Sequence, residues 1–208
     1  MDRDTAIAQI QFDLGNRSDL FDAIALKLQQ AQRLLEMGKS LPYFLYTRMP
    51  DGIDLEIDEI LVPFPERFLR EYPDETFRYS GTKVYLEKIE ERNARITFEG
   101  ADNGPPTAYS ITPEGFHVWP APDRVYTLEF SYYRGGTALT SNVEDNAWLI
   151  NAPDILIGTA GSMMAEVLQH AAAKARFDNL ALGAWKGAFA EGILREEENY
   201  PLAMGSRV

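Results

Sequence analysis

The chain has 208 residues, 45% of them hydrophobic and 25% charged, the balance of a globular protein that buries roughly 70% of its unfolded surface without a staple. It has no cysteine, which excludes disulfides, thiolate-held zinc and thiol catalysis but leaves the compartment open. A net charge of -12, with 20 basic residues scattered rather than clustered, argues against binding to nucleic acid, because sequence-independent affinity comes from Lys and Arg displacing counterions; DNA that slides past without sticking is compatible with it.

The opening stretch MDRDTAIAQIQFDLG is acidic and interrupted by polar residues, lacking the basic start and apolar core of a signal peptide, so no export by that route is predicted. Ala6, Ile7, Ile10 and Leu14 make a short amphipathic stripe that Gly15 and Asn16 break, which predicts a first helix. Ser18 is a candidate N-cap for a second helix over 19–37. Asp19 and Asp22 sit in its first turn, and Leu20, Ile24, Leu28, Ala31 and Leu35 fall at helical spacing. Gly38 stands where a left-handed residue closes a helix, completing an αα-hairpin.

From about residue 41 to 140 the composition turns to short aromatic and β-branched runs punctuated by proline and glycine. Strands are predicted over 43–49 and 53–60 around a Pro50-Asp51-Gly52 turn, with Ile53, Leu55 and Ile57 alternating against Asp54, Glu56 and Asp58. Residues 63–72 read as a loop with one or two helical turns carrying Phe68, Leu69 and Tyr72. Further strands are expected over 83–89, 95–99, 109–111, 115–119 and 125–133; the last alternates Tyr126, Leu128, Phe130 and Tyr132 with Thr127, Glu129 and Ser131. Without helical crossovers between them, these strands imply a small antiparallel sheet or sandwich. Residues 100–106 are a loop tip by composition.

Gly135 and Gly136 end the sheet, and a polar connector leads to the stretch 146–175. Its helix start is legible in Asn151, Ala152, Pro153 and Asp154. Leu156, Ala160, Met163, Val167 and Ala171 then form one stripe, widened by Ile155, Met164 and Leu168, so this helix is expected to be central. The mostly apolar run 155–165 contains Gly158, Thr159, Gly161 and Ser162 and is far shorter than the roughly 20 residues of a membrane span. Asp178 or Asn179 is a candidate cap for a last helix with Leu182, Trp185, Phe189 and Ile193 on one side, fraying at Glu196, Glu197 and Glu198.

The expected fold class is therefore α+β: a four-helix bundle from the two termini (1–40 and 141–199), an inserted small antiparallel β-domain (41–140), and a C-terminal tail (200–208).

Candidate chemistry is sparse. Glu166 and His170 are four apart and suit a metal-facing helix surface, but two ligands do not make a site, and the other histidine, His117, lies in a β segment beside Trp119. Glu56, Asp58 and Glu59 offer carboxylates for acid and base roles in glycoside hydrolysis, but alternation puts Glu56 and Asp58 on a wet strand face, and a solvated face is the simpler reading. The Gly158 to Ser162 run GTAGS has no lysine after it and lies inside a helix, so it is no phosphate loop; its small residues more simply let another helix approach. No cofactor or metal is expected. Trp185 and Phe189 read as core or interface residues.

The stretch Trp148-Leu149-Ile150-Asn151-Ala152-Pro153-Asp154, preceded by Tyr132, Tyr133, Arg134 and Leu139, resembles the C-terminal half of the head-to-tail adaptor, or connector, proteins of tailed bacteriophages. The GFHVWPAPD run from Gly115 to Asp123, the strand after it, the N-terminal helical hairpin, and Asp178 with the Trp185 to Phe189 spacing are similar as well. The resemblance spans most of the chain and rests on fold signals rather than catalytic ones. It implies a non-enzymatic virion component, assembled in the host cytoplasm, that forms a ring of about twelve subunits in such families. That ring would dock beneath the portal, carry a tail or nozzle protein below and pass DNA without specific binding or any membrane.

Within that reading the exposed apolar tail residues Tyr200, Pro201, Leu202 and Met204 are expected to order on the portal. The stripe of the central helix is wider than one neighbouring helix requires, so Met164 and Leu168 are expected between subunits. Two rival readings remain open: a virion-associated hydrolase using Glu56, Asp58 or Glu166, and a tail module binding a receptor glycan through the β region.

Overall fold

The computed structural model describes residues 1–72, 76–82 and 84–199, apart from the side chains of 50, 51 and 191–199. The fold is α+β, and the chain divides into two compact units, Met1–Leu45 with Gly135–Val208, and Tyr46–Arg134.

In the helical unit, α1 (Arg3–Asp13) is capped by Asp2, whose carboxylate accepts the Thr5 N–H at 2.7 Å, and it buries Ala6, Ile7 and Ile10. Gly15 and Asn16, both left-handed, turn the chain as expected. The second helix differs in detail at both ends. Ser18 does not cap it but opens a 3-10 turn (Ser18–Leu20), after Arg17 and beside the Arg17–Asp19 ion pair, and α2 (Phe21–Glu36) follows. Gly38 is not left-handed; α2 closes through Met37, whose N–H reaches the Arg33 carbonyl.

The stretch 146–175, read as a lead-in and one helix from Asn151 to Asp154 onward, holds two helices and the start of a third. Asn146 caps α4 (Ala147–Asn151), its side-chain oxygen accepting from the N–H groups of Trp148 and Leu149 at 2.9 and 3.1 Å. Next comes α5 (Pro153–Val167), with proline in its first turn. Left-handed Gln169 separates it from α6 (Ala171–Asn199), which starts at Ala171 rather than at a cap formed by Asp178 or Asn179 and continues past Glu196, Glu197 and Glu198.

The central place expected for α5 is found. It buries Ile155, Leu156, Ile157, Gly158, Ala160, Gly161, Ser162, Met164 and Ala165, and it touches α1, α2, α4 and α6. The small residues do let a helix approach, and that helix is α6 of the same chain. A Cβ on Gly158 would lie 2.7 Å from the Ala181 nitrogen, and one on Gly161 2.5 Å from the Phe177 ring. At the same crossing Asp178 accepts from the Ser162 hydroxyl and, at 3.0 Å, from the Lys174 ammonium.

The second unit holds two sheets. In the first, β8 (Tyr126–Arg134) is flanked by β1 (Tyr46–Leu55) on one side and by β3 (Phe68–Glu71) and β4 (Phe77–Tyr79) on the other, all antiparallel. The second runs β2 (Leu61–Pro63), β7 (Gly115–Trp119), β6 (Ala108–Ile111) and β5 (Glu87–Lys88), with β5 and β6 parallel. A short helix, α3 (Glu91–Thr97), stands where a strand was expected over 95–99; its Ala94 is buried and a Glu91–Arg95 pair spans one turn.

Two other differences have local causes. The Pro50-Asp51-Gly52 segment is no hairpin turn: β1 runs through it with a register shift between Met49 and Ile53. Proline is tolerated because β1 is an edge strand, and left-handed Gly52 sits where a Cβ would come within 2.6 Å of the Thr127 methyl. Residues 68–71 form β3 instead of a helical turn, since Phe68 stacks on Phe64 at 4.7 Å and meets Phe116 at 5.4 Å. These rings join Leu55, Val62, Phe77, Tyr109, Val118, Leu128 and Phe130 in the core of this unit. On the opposite side of β8, nearly buried Glu129 accepts from both Arg48 and Arg78.

Gly161→Ala is expected to destabilise the helical unit by about 1–3 kcal/mol despite alanine's better helix propensity, because the added methyl overlaps the Phe177 ring. A drop in urea midpoint with an unchanged slope would show it, and a midpoint equal to or above wild type would refute it.

Candidate interaction surfaces

The carboxylates nominated for hydrolysis do not form a site. Glu56, Asp58 and Glu59 are exposed in the turn after β1, and Asp58 is left-handed, so Glu56 and Asp58 no longer share a strand face. Asp58 accepts from the Asn103 amide, and Glu59 accepts the Glu56 N–H at 3.3 Å. Glu166 is exposed in the last turn of α5, and His170 lies beyond the left-handed break, where its Nδ1 accepts the Ala173 N–H at 3.2 Å and so caps α6. The i, i+4 geometry that would have aimed Glu166 and His170 at one ion is absent. Among the described residues no group of three or more His, Asp or Glu side chains is placed to hold a metal.

The structure instead brings together residues that the sequence left apart. His117 on β7 faces Ser110 on β6 in the ladder, and Glu91 of α3 reaches both. One Glu91 oxygen lies 3.1 Å from His117 Nδ1 and accepts from Arg95 Nε at 2.8 Å, while the other accepts the Ser110 hydroxyl. Trp119 Nε1 donates to Ser110 at 3.0 Å. The residue types resemble a hydrolytic triad but the order is wrong. Serine and histidine meet the same carboxylate from two sides, so the serine hydroxyl is bonded to Glu91 and not to the imidazole, and Ser110 is fully buried. Burial works to raise the Glu91 pKa, but hydrogen bonds from Ser110, Arg95 and His117 outweigh it and leave it below the ordinary glutamate value. The cluster pins α3 to its sheet.

A second polar cluster holds the helical unit where the chain returns to it. Glu36 Oε1, at the end of α2, accepts from the Gly136 N–H at 2.9 Å, from Gln32 Nε2 at 3.0 Å and from Trp148 Nε1 at 3.1 Å. Gln32 Nε2 also donates to the Gly136 carbonyl, and Asn146, fully buried, donates to Gln32 Oε1 while capping α4. The Trp148 ring meets Phe44 edge-on at 5.2 Å and stacks on Trp185 of α6 at 6.2 Å, which places Trp185 and Phe189 against this core. The sequence showed Asn146 and Trp148 only as a lead-in, because their partners on α2 are more than 100 residues away.

The surfaces are more informative than the interiors. Met164 is 3% exposed within the single chain, so a charge there would attack the fold itself; Leu168, at the end of α5, is half-buried. Tyr200, Pro201, Leu202 and Met204 lie outside the described residues. On α2, Leu26, Leu34 and Met37 are 52%, 57% and 80% exposed and lie roughly opposite the buried Ile24, Leu28 and Ala31. This helix has two apolar faces, of which the helical unit covers one. No described helix is long and apolar enough to cross a membrane.

The family described as SU10 adaptor protein matches residues 1–205 of the chain. No curated protein matches it.

Because the folded-state pKa of Glu91 is depressed, its contribution to stability is complete above the unfolded value near 4.5 and is lost as pH falls through the lower folded one. Glu91→Gln is therefore expected to lose less melting temperature than wild type between about pH 5 and pH 3. Parallel thermal melts test this, and identical slopes for the two proteins would contradict it.

Proposed function

The chain belongs to the SU10 adaptor protein family, and from that premise we propose that it is a non-enzymatic head-to-tail adaptor of a tailed bacteriophage. In this reading copies form a closed ring beneath the portal protein, of about twelve subunits, that extends the DNA channel and carries a tail or nozzle protein below. The observation that carries the reading is the extent of the family match, residues 1–205, which takes in both compact units.

Three features support it. The net charge of -12 suits a channel that DNA must traverse without adhering. The apolar outer face of α2 is a surface that an oligomer would cover. The carboxylates put forward for catalysis are exposed, Glu56, Asp58 and Glu59 in the turn after β1 and Glu166 in the last turn of α5. We further propose that Tyr200, Pro201, Leu202 and Met204 meet the portal and that Leu168 meets a neighbouring subunit. Met164 would support that contact only from beneath, through its packing inside the helical unit.

The test is purified full-length protein mixed with the portal of the same phage and viewed by electron microscopy, with native mass spectrometry of the protein alone. A ring on the portal is expected, with or without a ring in free solution. Absence of a ring under both conditions would refute the proposal. Removing residues 200–208 is expected to weaken portal binding while leaving the melting temperature unchanged.

A further inference from the structure

Like-charged copies repel, so on a chain with a net charge of -12 a surface of reversed sign favours contact between copies. The outer face of α2 is such a place. Between Asp22 and Glu36 the helix has no acidic residue and carries Lys27 and Arg33, and Glu36 is turned into the buried polar cluster. Arg33 is exposed, and among the described residues its guanidinium is paired with no carboxylate. Helical spacing sets Lys27, half-buried and donating to Gln30 Oε1 at 3.0 Å, and Arg33 on either side of the exposed Leu26, Leu34 and Met37.

The complementary feature is the 56–59 turn. Ile57 is 56% exposed at its tip and is surrounded by the exposed Glu56, Asp58 and Glu59. The turn is held in shape from within: the Glu59 N–H donates to the Glu56 carbonyl at 3.1 Å, and the Asp58 N–H donates to the Pro122 carbonyl at 3.0 Å. A fixed turn loses little conformational freedom on docking. Such an apolar tip ringed by carboxylates is the chemical counterpart of an apolar helix face edged by cations.

We propose that the outer face of α2 receives the 56–59 turn of a neighbouring copy of the chain. This rests on the ring reading above and adds which surfaces meet. Two unlike patches on one chain make a head-to-tail contact, the type that closes into a ring, whereas a single self-complementary patch would stop at a dimer.

Charge reversal tests the pairing on the full-length protein, with assembly on the portal read by electron microscopy. Lys27→Glu with Arg33→Glu, and separately Glu56→Lys with Glu59→Lys, are each expected to lower ring yield about tenfold, and all four together to restore most of it. Unchanged melting temperatures would show that the variants fold. Reversals that assemble like wild type, or a fourfold variant no better than either pair, would overturn the inference while leaving the ring reading intact; wild type failing to form a ring would remove both. Because the chain has no cysteine, Leu34→Cys combined with Ile57→Cys gives an independent measure. Oxidising the assembled ring should yield a ladder of covalent oligomers, and a preparation that stays monomeric on a denaturing gel counts against the contact.

Discussion

The helical unit depends on the absence of two side chains. Gly158 and Gly161 remove the methyl groups that would strike the backbone of α6 and the Phe177 ring, so α6 lies directly on α5. Each glycine costs about 1 kcal/mol of helix propensity relative to alanine, and the close packing of Phe177, itself 3% exposed, offsets it. Once α6 is fixed there, Asp178 falls opposite Ser162 and Lys174, and Trp185 stacks on Trp148. Trp148 in turn donates to Glu36 beside the chain's return at Gly136. One steric constraint in the middle of α5 thus orders the contacts along much of α6 and locks the end of α2.

Much of this was legible because it is written in local pattern. The apolar run of α5 has no solvated side, and a helix buried all round is a central one. The strand β7 has the bounds expected of it, and β8, whose residues alternate, begins and ends one residue later than expected. What escaped was decided by distant partners. Phe68 has neighbours that would serve a helical turn, and it is a strand because Phe64, Phe116 and Phe130 supply a stack for it. Pro50 and Gly52 spell a turn, yet the edge position of β1 absorbs the one and the approach of Thr127 requires the other. Gln169 ends α5 in a left-handed conformation without glycine or proline, so no breaker residue announces it.

The candidate sites divide the same way. Exposed carboxylates such as Glu56 and Asp58 could be seen in the sequence, but their environment, an open turn, could not. The Glu91 cluster was invisible because it joins a helix to two facing strands, Ser110 and His117 being register partners. Residue types that suit hydrolysis were thus present in both places. In one they lack burial, and in the other the carboxylate stands between the serine and the histidine. Composition supplies the groups of an active site far more readily than their order.

Net charge does not show which cations a partner can meet. Of the 20 basic residues, Arg48 and Arg78 are both engaged by Glu129, which is itself almost buried, while Arg95 is held by Glu91 and Lys174 by Asp178. Intramolecular pairing of this kind removes cations from the set that a partner can meet, and it does so mostly where the pair steadies a strand or a helix. A cation left outside such pairs, beside apolar side chains that the fold leaves uncovered, is therefore more informative than one counted in the total. On α2, Arg33 meets that description among the described residues, in a segment without a single carboxylate between Asp22 and Glu36. For a protein whose copies repel one another at long range, association is governed by the few square nanometres where the local sign is reversed, because screened repulsion falls off within about 8–10 Å while contact terms act only at the surface.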